Sequence, residues 1–148
     1  MKIAVIMRGV PGSGKSTAAR GILNHCLDKK QTAVICSNDD YPGYYDNPEN
    51  KYDWSPQKAK KARKFCEEKF LEALTNEVDV VIVDNCHLTR RTYKFFVEEA
   101  TKRGYEISFN VKKPSLEHNY IETCAKRNVH GVSAGHIYNM IKSWEDED

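Results

Sequence analysis

The run Gly9-Val10-Pro11-Gly12-Ser13-Gly14-Lys15-Ser16 constrains what this chain can fold into more than any other stretch. It satisfies the spacing G-x-x-x-x-G-K-S, and its flanks suit it. The short apolar run Ile3-Ala4-Val5-Ile6-Met7 precedes it, and Ala18, Ala19, Ile22, Leu23 and Cys26 recur at helical spacing after it. A strand that turns through glycines into a helix leaves successive backbone N–H groups facing one centre, with the positive end of the helix dipole behind them. Such a loop cradles a phosphate chain. Gly9, Pro11, Gly12, Ser13, Gly14, Lys15, Ser16 and Thr17 are therefore the expected nucleotide-binding residues. In this reading Lys15 neutralises the β- and γ-phosphates of ATP or GTP, the Ser16 hydroxyl binds Mg²⁺, and Thr17 contacts the α-phosphate.

The remainder of the chain alternates strand and helix signals. Thr32–Cys36, Val78–Val83 and Tyr105–Val111 read as further strands, and Val78–Val83 is the most strongly β-branched run. Helices are expected over Ser16–Leu27, Pro56–Asn76, Thr89–Arg103, Pro114–Arg127 and Ser133–Trp144, the second opened by Ser55 as cap and Pro56 in the first turn. Tyr41–Asp53, rich in Tyr, Pro, Gly, Asn and Asp, has no periodicity and reads as a long loop. Alternation of this kind implies a three-layer α/β sandwich of the P-loop NTPase type, with about four parallel strands flanked by helices. The length of 148 residues suits a single domain spanning 1–148. In parallel sheets, ligands bind beyond the carboxyl ends of the strands, and the conspicuous polar residues sit there.

Asp39 and Asp40 follow the second strand, where one carboxylate is placed to accept a proton from a substrate hydroxyl and the other to support it; ordinary turn chemistry is the competing reading. Asp84 ends the third apolar run, as a carboxylate holding Mg²⁺ would, or alternatively as a cap on the next helix. Transfer of a phosphoryl group also calls for a charge-stabilising arginine. Arg127, just before Asn128 and Gly131, is the leading candidate, with Arg90 and Arg91 as rivals. His87, His130 and His136 lack metal-site spacing and read as surface or satisfied polar residues. The basic run Lys58–Lys64 reads equally as a solvated helix face or a nucleic-acid contact. Trp54, Tyr41, Tyr44 and Tyr45 suit either base stacking or packing within the loop.

Bulk properties narrow the setting. The net charge is +2, with four carboxylates concentrated in the terminal run Glu145-Asp146-Glu147-Asp148, so the body of the chain is more basic than the total indicates. Five scattered cysteines, odd in number and never spaced C-x-x-C, argue against a disulfide framework or a zinc site and for buried thiols in a reducing compartment. The N-terminal apolar run, interrupted at Arg8, is too short for a signal peptide, and no stretch approaches the roughly 20 apolar residues that span a bilayer. A cytoplasmic location without membrane association is expected.

Taken together, the phosphate loop followed by Thr17, then Ser37-Asn38-Asp39-Asp40-Tyr41, then Ile82-Val83-Asp84-Asn85, then Arg127-Asn128-Val129-His130-Gly131-Val132 resembles the polynucleotide kinase-like P-loop proteins. That group includes the kinase domain of phage polynucleotide kinase and the NEDD4-binding protein 2-like domains. The resemblance runs from about residue 3 to residue 144. It implies an ATP- and Mg²⁺-dependent kinase that phosphorylates the 5′-hydroxyl of DNA or RNA ends. It also implies Asp39 as general base, Arg127 as a residue of the lid over the ATP phosphates, and Lys15 as the third catalytic group. Departures are specific: Pro42 stands where the phage kinase has a substrate-binding arginine, and its second lid arginine has no counterpart here. The phage enzyme's carboxylate near the third strand matches Asn85, whereas the NEDD4-binding type matches Asp84, and Cys86-His87 replaces the usual Thr-Asn. A kinase of the same architecture acting on a small alcohol or nucleoside, and a non-catalytic ATP-binding module, are the alternatives.

Overall fold

A computed structural model describes residues 1–147. Four strands, β1 (Ile3–Arg8), β2 (Ala33–Cys36), β3 (Val80–Asp84) and β4 (Glu106–Val111), form one parallel sheet in the order β2-β3-β1-β4. Five helices accompany it: α1 (Lys15–Asp28), α2 (Pro56–Thr75), α3 (Arg90–Lys102), α4 (His118–Arg127) and α5 (Ala134–Lys142).

Strand periodicity of two divides the core between the faces of the sheet. Ala4, Ile6, Val81 and Val83 pack with Cys66 and Phe70 of α2 and Phe96 of α3. Val5, Met7, Val80 and Ile82 pack with Ala19 and Cys26 of α1. Because β1 and β3 are buried on both faces, they read as continuous apolar runs rather than alternating ones. A third cluster stands apart: Val10, inside the phosphate loop, is buried against Ile121 and Cys124 of α4 and Ile137 and Ile141 of α5. The α4–α5 pair is thereby anchored on the loop itself, which matters for the site.

Several boundaries differ from the sequence expectation, each for a local reason. Helix α4 begins at His118 rather than Pro114, since Ser115 Oγ accepts the Glu117 N–H at 3.1 Å and holds the preceding residues in a turn. Helix α5 stops at Lys142 because the chain there swings back so that Glu145 N–H donates to Leu88 C=O at 2.9 Å. Strand β3 begins at Val80, after Asp79 has committed its carboxylate to the backbone and hydroxyl of Thr32. The 41–53 segment is not irregular throughout: Pro42–Tyr45 forms a 3-10 turn whose Tyr44 is buried, with the Tyr41 ring against Tyr44 and Phe65.

The largest departure concerns Arg8. Read as the residue that interrupts an apolar run, it is the last residue of β1 and has no exposed surface. Its guanidinium donates to His87 C=O (2.8 Å), Leu88 C=O (3.1 Å) and Glu145 C=O (2.6 Å), pairs with Glu147, and lies 4.2 Å from the centre of the Trp144 ring. Residues 144–147 therefore form a strap with a buried cation beneath it.

Candidate functional site

The carboxyl ends of β1, β2 and β3 open into a cleft of about 1090 Å³. On one wall lies the phosphate loop. Gly12 and Gly14 adopt left-handed backbone conformations, with φ of +81° and +94°, that side chains other than glycine rarely take. At Gly12 a Cβ would also lie 2.2 Å from Cys124 C=O, so the loop is pressed against the end of α4. The N-terminus of α1, capped by Gly14 without any side-chain hydrogen bond, leaves its N–H groups free for an anion. Pro11, Gly12, Gly14, Lys15, Ser16 and Thr17 line the cleft. Gly9 and Ser13 do not line it. Gly9 N–H donates to Cys86 C=O at 3.0 Å, a Cβ there would meet Ser13 Oγ at 2.5 Å, and Ser13 Oγ is buried without a partner.

Asp84 closes β3 and is buried at 8% exposure. Its Oδ1 lies 4.0 Å from Lys15 Nζ and accepts no hydrogen bond. The competing role as helix cap does not hold, because α3 starts six residues later with Thr89 at its cap. A buried carboxylate oxygen left open beside a lysine, in the cleft that Ser16 also lines, is the chemistry of a Mg²⁺ site. Among the described residues no three His, Cys, Asp or Glu side chains cluster as metal ligands.

A 3-10 turn (Asn38–Asp40), lining the same cleft as the phosphate loop, carries both carboxylates that follow β2. Two hydrogen bonds fix the turn: Ser37 Oγ accepts Asp39 N–H at 3.2 Å, and Asn85 Oδ1 accepts Asn38 N–H at 2.8 Å. Both carboxylates line the cleft, but in different company. Asp39 is half-exposed, with Oδ2 3.4 Å from His130 Nε2. Burial pushes the Asp40 carboxyl above the usual range, opposed by Lys69 of α2 and reinforced by Asp39 and Asp84.

Arg127, the last residue of α4, is the arginine the fold brings to the loop: a Cβ on Gly14 would find the Arg127 guanidinium as its one neighbour, at 3.8 Å. Its rivals lie elsewhere. Arg90 is tied to the C-terminal strap, with its N–H on Glu145 Oε1 (2.8 Å) and Nε on Asp146 C=O (2.8 Å); neither Arg90 nor Arg91 lines the cleft.

The histidines divide. His87 is buried with φ +49°, its Nδ1 bonded to Met7 C=O at 2.8 Å, and burial pushes its titration down to about 4. His130, expected as a surface or satisfied polar residue, is partly buried: it lines the cleft, faces Asp39, and stacks on Tyr52 with centroids 3.9 Å apart. His136 lines the cleft as well. Of the loop aromatics, Tyr41 and Tyr44 pack within the loop, whereas Tyr45, Tyr52 and the largely exposed Trp54 face the cleft. In the basic run, Lys58 pairs with Asp53 at 2.7 Å, while Lys60, Lys61, Arg63 and Lys64 are exposed on α2. All five cysteines are free, and burial pushes Cys36 to about 12 and Cys66 to about 11, so neither is a nucleophile. Tyr52 carried no sequence signal of its own; Asn128 and His130 had one only in their place within Arg-Asn-x-His-Gly.

A phosphate loop leading into α1, a buried carboxylate at the end of the neighbouring strand and an arginine above the loop, all on a parallel sheet, define a P-loop fold of the kinase type. The chain belongs to the AAA domain family, whose model matches residues 5–142. It is 29% identical over 144 residues to human NEDD4-binding protein 2, covering 97% of this chain and 8% of that protein. A chain of the Pnkp1/Rnl/Hen1 RNA repair complex shares the fold with a TM-score of 0.69 at 23% identity, over 96% of this chain and 43% of that one. A gluconokinase from Sinorhizobium meliloti 1021 does so with a TM-score of 0.63 at 18% identity, over 97% and 75%. The chain thus spans under a tenth of the human relative's length and under half of the RNA repair protein's. Among the described residues no helix is long and apolar enough to cross a membrane.

Proposed function

We propose that this chain is an ATP-dependent kinase that transfers the γ-phosphate to a hydroxyl group, the 5′-hydroxyl of a DNA or RNA end. One observation carries the reading: the phosphate loop, Asp39 and Arg127 line a single cleft, and the Arg127 guanidinium lies beside Gly14 of the loop. Loop amides and Lys15 hold the triphosphate, Arg127 neutralises charge that builds on the transferring group, and Asp39 takes the proton from the attacking hydroxyl. The new oxygen–phosphorus bond forms as the bond to the β-phosphate oxygen breaks, leaving ADP and a phosphate monoester. Ser16 and Asp84 are the residues suited to hold Mg²⁺, which supplies neutralisation of the β- and γ-oxygens.

Support for a nucleic-acid acceptor comes from Tyr45 and the largely exposed Trp54, aromatic surfaces lining the same cleft as Asp39 that suit stacked bases better than a polyol. The likeness to a chain of an RNA repair complex leans the same way. A small-alcohol acceptor is the second reading, favoured by Pro42 in place of a phosphate-binding arginine and by the likeness to a gluconokinase. Five free thiols suit work in a reducing, cytosolic setting. The test is incubation with γ-labelled ATP, 5′-hydroxyl DNA and RNA oligonucleotides and a panel of sugars, polyols and nucleosides. Label on oligonucleotides is the expected result. Label confined to small molecules overturns the acceptor assignment, and label nowhere leaves a non-catalytic ATP-binding module.

A further inference from the structure

Asp39, Tyr52 and His130 come from three separate segments: the turn after β2, the loop before α2 and the loop between α4 and α5. They meet in one contact. His130 presents Nε2 to Asp39 Oδ2 at 3.4 Å, while its ring lies on Tyr52 with centroids 3.9 Å and planes 28° apart. Among the described residues this contact is the one ion-pair geometry at the Asp39 carboxylate, whose side chain is half-exposed. Nearby, Asn128 holds the α4–α5 loop rigid through four hydrogen bonds, so the His130 ring is positioned from behind as well as by the stack. Only Asn128 and Val129 separate His130 from Arg127, so one short segment reaches two parts of the cleft: the arginine to the phosphate loop and the histidine to the carboxylate.

We propose that His130 is the positioning residue for the Asp39 carboxylate, carried on the same loop segment that brings Arg127 to the phosphate loop. The inference rests on the kinase reading above. By occupying Oδ2, His130 leaves Oδ1 as the oxygen that receives the hydroxyl proton, and removes a rotation that would otherwise be frozen in the transition state. Tyr52 supplies the flat surface that fixes the plane of the imidazole.

Two measurements test this. In single-turnover and steady-state assays, His130→Ala lowers kcat about tenfold or more while leaving the KM for ATP within about twofold, as expected for a misplaced catalytic group. His130→Gln, whose amide N–H reaches nearly the same point, recovers most of the loss. Unchanged kcat in His130→Ala, or equal damage from both substitutions in folded protein, overturns the proposal. Independently, the ¹⁵N resonance of His130 Nε2 is compared between wild type and Asp39→Asn at fixed pH, together with the ring proton shifts in Tyr52→Leu. Movement in both supports the contact, and resonances that stay in place refute it. Should wild-type protein label no acceptor, the kinase reading fails separately, and the resonances alone decide for or against the contact.

Discussion

The side chain of Asn128 closes a ring with the backbone of Val132: its Oδ1 accepts the Val132 N–H at 2.8 Å while its Nδ2 donates to Val132 C=O at 3.0 Å. The same Nδ2 reaches back to Cys124 C=O (3.1 Å) and Ala125 C=O (2.9 Å), so one amide both ends α4 and shapes the five-residue loop after it. Arg127 and His130 flank that amide. Asn128→Ala is expected to cost about 1–3 kcal/mol locally, since partly buried carbonyls lose their donor. Both ends of the cleft then suffer together: KM for ATP rises and kcat falls, by about tenfold each. A variant in which only one parameter moves would show that the two residues are held independently.

Asp39→Asn keeps the shape of the turn, whose hydrogen bonds run through the Asp39 N–H and Asn38 N–H rather than the carboxylate. ATP binding by calorimetry is therefore expected to persist, while turnover drops by about 10²–10⁴, the usual value of a general base. Lys15→Ala differs in kind, because the lysine touches the donor, and both affinity and turnover fall. If Asp39→Asn retains its rate, the base lies elsewhere and Asp40, which also lines the cleft, is the next residue to change.

Trp54 is 57% exposed at the cleft edge, one residue before the Ser55 that caps α2. An exposed indole over an acceptor site is worth about 1–3 kcal/mol per stacked base. Trp54→Ala is expected to raise the KM for a 5′-hydroxyl oligonucleotide at least fivefold and to leave that for ATP unchanged. An equal change for both substrates would assign Trp54 to fold stability instead.

His87 gives the fold a defined acid limit. Burial lowers its titration to about 4 from an ordinary 6.5, so between those values the unfolded chain binds a proton that the folded chain refuses. Stability therefore rises with pH across this window, and is lost as pH falls from 6.5 towards 4, by on the order of 3 kcal/mol in total. Above 6.5 the group contributes nothing. His87→Asn tolerates the left-handed backbone at this position and keeps a donor for Met7 C=O. Urea titrations from pH 7 to pH 4 should show a flatter acid limb in that variant; an identical limb would place the acid sensitivity in other groups.

How much of this was legible in the sequence depends on the range of the interaction that fixes each residue. The phosphate loop was legible because its conformation is set locally, by glycines at φ +81° and +94° between an apolar run and a helix. Asp84 was legible because strand β3 carries it to the same edge as Met7, its register partner on β1. By contrast, the Asp39–His130 contact joins residues far apart in sequence through a loop whose shape depends on Asn128, and nothing in either segment announces the other. Helix termini were misjudged where a side chain bonded its own backbone, as Ser115 does before α4. The burial of Arg8 was not legible for a related reason: its partners lie in the loop after β3 and at the far end of the chain.

Those partners make Arg8 the test of whether the C-terminal strap belongs to the site's support. Its guanidinium holds three carbonyls and a carboxylate between the Tyr93 and Trp144 rings, directly before the phosphate loop. Arg8→Met keeps the volume but takes the guanidinium donor from the His87 and Glu145 carbonyls, while Leu88 C=O retains the Glu145 N–H, a loss of about 3 kcal/mol or more. Glu147→Gln, at a partly exposed position, should cost less than about 1 kcal/mol. Removing residues 144–148 strips away the strap from the other side. If strap and arginine act as one unit, the truncation and Arg8→Met are strongly non-additive in a double-mutant cycle of urea denaturation. Their effects on nucleotide affinity should follow the same pattern, because Gly9 N–H hangs on Cys86 C=O beside the His87 carbonyl that Arg8 grips. Simple additivity would mean that the tail merely covers Arg8 and gives the phosphate loop no support.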